Sequence, residues 1–423
     1  MIWVRQHRSG PVVEDPSARA AEALGALGLD AGVEAGQTVA VAVGSRGITD
    51  LAPVVAATVA HLRDLGLEPF IVPAMGSHGG ATADGQREVL AGYGITEEAM
   101  GCPIRAQMDT VELCIVEPVT GQGRFPVHLD ALAAAADHVV IVNRIKPHTM
   151  FEGPVESGLA KMLLIGLGKR AGAETYHSAI FDHGWSPIVD GVLPEVLSRV
   201  SVLAAVGIVE NADDRTARIE AMPGSQIRDR EPALLAEARS LMPRLPFDEF
   251  DIVLVDRIGK DISGSGWDVN TLGRKNSPHE PDPKQLPMVR SIIVRSLTEA
   301  THGNALGIGN AEFCRTRVVE AMDREVTWIN AQTAGDPAAG MIPLHYATDR
   351  ELLAGCTTRN GLRDLASARI AWIRDTLHLD VLAVSVAFRS DIEARDDLSI
   401  VRGPEPLPLD AEGNLPDLLP VDG

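Results

Sequence analysis

The sequence predicts an α/β fold in two domains, with mostly parallel sheets flanked by helices and an active site in the cleft between the domains. Three observations support this. Short β-branched runs at 38–43, 69–72, 138–142 and 202–209 read as buried strands, and Ala-, Leu- and Glu-rich stretches at 16–27, 53–65, 82–93 and 187–200 carry a helical period between some of them. A length of 423 residues exceeds what one ordinary core organises. Pro243, Pro246 and the acidic run Asp248-Glu-Phe-Asp251 then break the pattern before a new apolar run at 252–255. The boundary therefore falls after residue 247, giving an N-terminal cofactor-binding domain (1–247) and a C-terminal domain (248–423) with a tail.

In the second half, 288–297, 313–322, 349–354 and 364–376 read as helices, and 379–386 as a strand. The Asp-, Pro- and Leu-rich tail from Asp391 is expected to wrap the surface or to cross back onto the first domain. Ligands in open α/β sheets sit beyond the carboxyl ends of strands. Arg46, His78 and His148 each follow a strand in this reading.

Composition removes several function classes. A formal charge of −20 opposes nucleic-acid and anionic-membrane binding, because both need a basic face. No apolar run approaches the ~20 residues of a membrane span, and the N-terminal residues lack the apolar core of a signal peptide, so the expected setting is cytoplasmic. Cys102, Cys114, Cys314 and Cys356 are scattered without a Cys-x-x-Cys pair, which supports neither a disulfide framework nor a thiolate metal site.

The segment richest in chemistry is Asn143-Arg-Ile-Lys-Pro-His148-Thr-Met-Phe-Glu-Gly-Pro-Val-Glu-Ser-Gly-Leu-Ala-Lys161, continuing to His177. Histidine suits both proton transfer and metal ligation, since it titrates near neutrality and its ring nitrogens bind nickel, copper and zinc. Lys161 lies in an apolar stretch where a charged amine is costly unless paired or chemically converted; as an unmodified residue it would snorkel. His177 by itself is an ordinary helix-surface histidine. Upstream, Pro73-Ala-Met-Gly76-Ser77-His78-Gly-Gly follows a strand, and so does Gly44-Ser-Arg46-Gly. Gly166-Leu-Gly-Lys-Arg-Ala-Gly172 lacks the context of a dinucleotide fingerprint, although a helix start with Lys169 and Arg170 could hold one phosphate.

The order strand-Pro-His, Gly-rich turn, Lys161 and then His177 sixteen residues on, together with the Gly76-Ser-His78 loop and the Ser-Arg46 turn, resembles the nickel-pincer-nucleotide-dependent lactate racemase family over most of the first half of the chain. The resemblance implies a pyridinium-3,5-bisthiocarboxylic acid mononucleotide cofactor holding nickel. Lys161 would tether it as a thioamide, with Arg46, Gly76 and Ser77 as further cofactor contacts, and His177 would be the nickel ligand. It implies His78 and His148 as the two acid/bases of a racemase or epimerase that moves hydride to and from a 2-hydroxy acid. Cofactor-biosynthesis proteins would be partners.

Departures from the family pattern bear on the substrate. Val43 stands where an acidic residue usually precedes the first motif, the interval from His148 to Lys161 is longer, and the loops of the second half differ. A small-molecule hydroxy acid other than lactate is therefore expected. Lys260 in Gly259-Lys-Asp-Ile-Ser-Gly-Ser-Gly-Trp267, Arg46 across the cleft, Trp267 and His302 are the candidate substrate contacts. A nicotinamide-dependent oxidoreductase and a non-catalytic binding protein of the same fold are the alternatives.

Overall fold

A computed structural model describes all residues except 46, 118–122, 276–285, 363 and 421–423. The chain forms two compact units, one spanning Gly10–Met242 and the other joining Met1–Ser9 to the chain from Pro243 onward.

The strands follow from apolar β-branched runs. The chain opens with β1 (Ile2–Gln6), which belongs to the second unit. In the first unit come β2 (Thr38–Val43), β3 (Glu68–Pro73), the hairpin-like pair β4 (Thr110–Val116) and β5 (Phe125–Asp130), then β6 (His138–Arg144), β7 (Val202–Glu210) and β8 (Thr216–Met222). The main sheet has the order β3-β2-β6-β7-β8, parallel except for β8. Val39, Val41 and Val43 pack on one face, and Ala40 and Ala42 on the other, so both faces are buried, as in a helix-covered parallel sheet. The helices Pro16–Gly25 and Ala83–Gly92 start where Asp15 and Thr82 accept the N–H groups of Ala18 and Gly85.

The second unit holds β9 (Glu249–Val255), β10 (Met288–Val294), β11 (Phe313–Arg315), β12 (Leu344–Tyr346), β13 (Ile370–Ile373), β14 (Val381–Val384) and β15 (Leu398–Arg402). Its eight-stranded sheet runs β12-β11-β10-β9-β13-β14-β1-β15. Two expected helices are strands here. The run Val-Arg-Ser-Ile-Ile-Val of β10 pairs parallel with β9, and Ile370–Ile373 pairs on the other side of β9. The stretch expected as a helix from residue 313 divides into β11 and the helix Thr316–Ala321. Residues 1–9, assigned from sequence to the first domain, add β1 to this sheet between β14 and β15. In the tail, β15 pairs with β1, and Leu415 and Leu419 are buried beside Trp3 and Trp372. Among the described residues no helix is long and apolar enough to cross a membrane.

Candidate active site on the first unit

Because β3, β2 and β6 are parallel neighbours, the loops that follow them leave the same edge of the sheet. These loops carry Ser45, His78 and His148. Asn143, buried at the end of β6, ties that strand end to the chain before Lys161: its Nδ2 donates to the carbonyls of Arg144 and Gly158, at 2.8 and 3.2 Å. A Cβ on Gly44 would lie 2.0 Å from Asn143 Oδ1, so only glycine lets the loop after β2 pass so close.

His78 is half-buried, and its Nδ1 lies 2.7 Å from Ser45 Oγ. Its loop is held from beneath by Gln86, whose Nε2 donates to the carbonyls of Gly76 (2.8 Å) and His78 (3.3 Å). Below Gln86 lies Lys169, which is fully buried; its Nζ donates to Pro73 O and Gln86 Oε1 and pairs with the enclosed Asp130 at 2.9 Å. Burial pulls the Lys169 pKa down, and Asp130 opposes that pull. This overturns the expectation that Lys169 holds a phosphate, because a lysine sealed in the core and bonded to Asp130, Pro73 and Gln86 cannot reach one. Gly76 is buried and Ser77 is exposed beside it.

His148 is fixed on three sides. Its backbone N–H donates to Glu156 Oε2 at 2.6 Å, and Glu156 is itself buried and paired with Arg239. Its ring Nδ1 accepts the N–H groups of Met150 and Phe151, each at 3.0 Å. Its ring face stacks on Phe151 with centroids 3.9 Å apart, and Phe151 stacks in turn on Trp185 at 4.8 Å.

Lys161 is half-buried, with Nζ 5.2 Å from the centroid of the same Phe151 ring. It ends the one-turn helix Leu159–Lys161 and is followed directly by a π-helical turn, Met162–Gly166, a feature frequent at functional sites. That turn is bound to the His78 loop, since Gly76 N donates to Gly166 O at 3.1 Å. Glu231 lies under the start of the Lys161 helix, fully buried, with Oε2 accepting Ala160 N at 2.9 Å. Burial pushes its carboxyl up to about 7, against the pull of the Ala160 and Leu159 N–H groups. Lys169, in the left-handed region at φ 53, then redirects the chain into the helix Lys169–His183, where His177 is exposed. Among the described residues no three His, Cys, Asp or Glu side chains converge as a metal site.

Arg46 lies outside the described residues. Lys260, Trp267 and His302 lie in the second unit, on two loops tied to each other. Lys260 N donates to Thr301 Oγ1 at 3.1 Å, and Ile258 bridges Leu297. Lys260 Nζ donates to Gly264 O at 2.6 Å, and His302 is exposed at φ 47. Trp267 is wholly enclosed among Ile258, Val269 and Ile308, so it carries its loop and meets no ligand at the surface. Sequence reasoning did not find Ser45, Gln86, Phe151 or Glu231. Ser45 and Phe151 stood inside the quoted motifs, whereas Gln86 and Glu231 act from helices far along the chain and leave no local signal.

No known family model and no curated protein matches the chain. Among solved structures, the lactate racemase apoprotein of Thermoanaerobacterium thermosaccharolyticum is similar over 81% of this chain and 83% of its own, at 13% identity and a TM-score of 0.50. A structural-genomics target from Thermotoga maritima is similar over 66% of this chain and 71% of its own, at 14% identity and a TM-score of 0.47. The first likeness gives the protein the lactate racemase fold.

Proposed function

We propose that the protein belongs with the nickel-pincer-nucleotide-dependent racemases and epimerases and inverts a 2-hydroxy acid. The observation that carries this reading is the gathering of His78, His148 and Lys161 on loops bound to one another at one sheet edge, with His148 and Lys161 both against Phe151. The donor set fits the cofactor. His177 offers an exposed imidazole as one donor, a residue type that suits nickel, and a pincer ligand would supply the remaining donors. Lys161 offers a half-exposed primary amine for a tether, beside residues able to act on a small polar substrate.

When bound, the cofactor would supply the centre that takes hydride from the α-carbon and returns it to either face of the planar ketone. The chain's own groups do the rest. One imidazole takes the hydroxyl proton as hydride leaves the α-carbon, and the other gives a proton to the oxygen when hydride returns to the opposite face, so the two histidines serve different moments of one inversion. Gly76 and Ser77 are proposed as cofactor contacts, and Arg46 and Lys260 as cations for the substrate carboxylate, where a charge-assisted bond outweighs a neutral one. Cofactor-biosynthesis proteins are the implied suppliers.

Intact mass and metal analysis test the reading. Protein made beside the cofactor pathway is expected to carry an adduct lost in Lys161→Ala and nickel reduced in His177→Ala. Full nickel and an unchanged adduct in both variants would sink it, as would racemisation by cofactor-free protein.

A further inference from the structure

We propose that Gln86 is a positioning residue: it joins the loop that carries His78 to Lys169, which heads the helix carrying His177, and so sets where the His78 ring stands relative to the segment proposed to hold the cofactor. The inference deepens the racemase reading and rests on it for what His78 and His177 do; the joint itself rests on geometry alone.

The partners of Gln86 dictate its residue type. Its side chain is fully buried on the helix Ala83–Gly92. On one side stand two acceptors, the carbonyls of Gly76 and His78, which take its Nε2 hydrogens at 2.8 and 3.3 Å. On the other side stands a donor, the Lys169 ammonium, which gives a hydrogen to its Oε1 at 3.3 Å. A primary amide meets both demands without carrying a charge, with two hydrogens on its nitrogen and lone pairs on its oxygen. A glutamate would turn oxygens towards the two carbonyls, and a lysine would turn an ammonium towards Lys169. Turning the amide over would make both mismatches at once, so its orientation follows from its partners.

The loop is shaped to reach this amide. Gly79 lies against the first turn of the same helix at φ +65, where a Cβ would come 2.5 Å from the carbonyl carbon of Gly85. A Cβ on Gly85 would in turn strike the Gly79 carbonyl oxygen. Glycine at both positions lets the loop lie on the helix and brings its carbonyls within reach of Gln86. The far side of the joint is held as firmly. Lys169 Nζ also donates to Pro73 O and pairs with the buried Asp130, and Lys169 is the first residue of the helix that ends at His183. A second tie, from Gly76 N to Gly166 O, fastens the same loop to the π-helical turn after Lys161. The His78 loop is thus attached at two points to the stretch between Lys161 and His177, and Gln86 supplies the side-chain attachment. An acid/base works only within hydrogen-bond reach of its proton, and a misplacement of about 1 Å is enough to lower a rate about 10²-fold.

Two measurements test this. In cofactor-loaded protein, Gln86→Met keeps the length of the side chain and removes the amide. It should leave adduct mass and nickel content at the parent level and lower kcat about tenfold or more, with KM within about threefold. An unchanged kcat, or loss of adduct and nickel in step with activity, would overturn the proposal. Independently of the cofactor, proton–nitrogen NMR of ¹⁵N-labelled, cofactor-free Gln86→Met should show displaced signals for the His78 amide and ring. The amides of His78 and Ala81, which bond Met75 O and Ser77 O within the loop, should exchange faster, while the His148 signals keep their parent positions. Unchanged His78 signals would overturn the positioning role while leaving the racemase reading intact. Collapse of the whole spectrum in both Gln86→Met and Gln86→Asn would make the residue a general support of the fold and overturn it as well. A parent protein that takes up neither adduct nor nickel would instead sink the racemase reading and leave the NMR result to decide whether Gln86 places the His78 loop.

Discussion

Lys169 and Asp130 form an ion pair 2.9 Å long with both side chains fully enclosed, beneath the loop that presents His78. Removing one partner of such a pair strands the other charge. Asp130 has a second duty, since its Oδ1 also accepts the N–H groups of Leu132 and Ala133 at the start of the helix Ala131–Ala135. Lys169→Met is therefore expected to cost about 3–5 kcal/mol, read from urea unfolding, because it leaves a buried carboxylate unpaired. Lys169→Met with Asp130→Asn should recover part of the loss, since the asparagine keeps an oxygen for the helix start. A single variant as stable as the parent would show that the pair is not closed to water.

That pair also marks what could and could not be read from the chain. Periodicity found β2, β3, β6 and β7 of the first unit, whose β-branched runs stand out from the helical stretches, and missed β4, β5 and β8. It failed at β10 and β13, where short apolar runs fit a helix and a strand equally and only pairing on either side of β9 decides. β1 was illegible for a different reason: Ile2 pairs with Val384, almost a chain length away. Residue types and order singled out His78, His148, Lys161 and His177 as candidates. A lysine after Leu-Gly looked like a phosphate contact because sequence shows charge and not burial.

Glu231 predicts a pH dependence. Its carboxyl titrates at about 7 in the folded protein, where the ordinary value is 4.5, because it is buried. Its folded pKa is raised, so between these values the folded state holds a proton that the unfolded chain releases. Stability from this group is then fullest below pH 4.5 and is lost as pH rises toward 7, with little further change above. The whole effect is on the order of 3 kcal/mol, from a shift of about two to three units at 1.36 kcal/mol each. Glu231→Gln should flatten this part of the profile in denaturant unfolding followed across that range; an unchanged slope would locate the dependence elsewhere.

Ser45 is expected to orient the His78 ring. Ser45→Ala removes a 2.7 Å partner without touching a core residue, so the thermal midpoint should change little. Activity should fall by about tenfold or more, the scale for a hydrogen-bond partner that orients a working histidine. The loss should fall on kcat more than on KM, with a displaced pH profile, and Ser45→Thr should restore much of it. A loss confined to KM would mean that Ser45 binds substrate and does not orient the ring.

The loops of the second unit separate residues that hold a loop from residues that can choose a ligand. Trp267 is enclosed beside Gly307, where a Cβ would come within 2.9 Å of the indole and φ is +93, so the indole and the left-handed glycine are fitted to each other. Trp267→Ala is expected to cost about 3–5 kcal/mol, the range for truncating a buried aromatic, and to weaken every substrate alike by loosening the loop. His302 is exposed and the Lys260 ammonium lies on the linked loop, so substitutions there should leave the unfolding midpoint nearly unchanged. His302→Ala and Lys260→Ala should instead alter the ranking within a panel of 2-hydroxy acids that differ in charge and size, with Lys260→Ala raising KM most for dianions. An unchanged ranking in both variants, at unchanged stability, would move substrate selection off these loops.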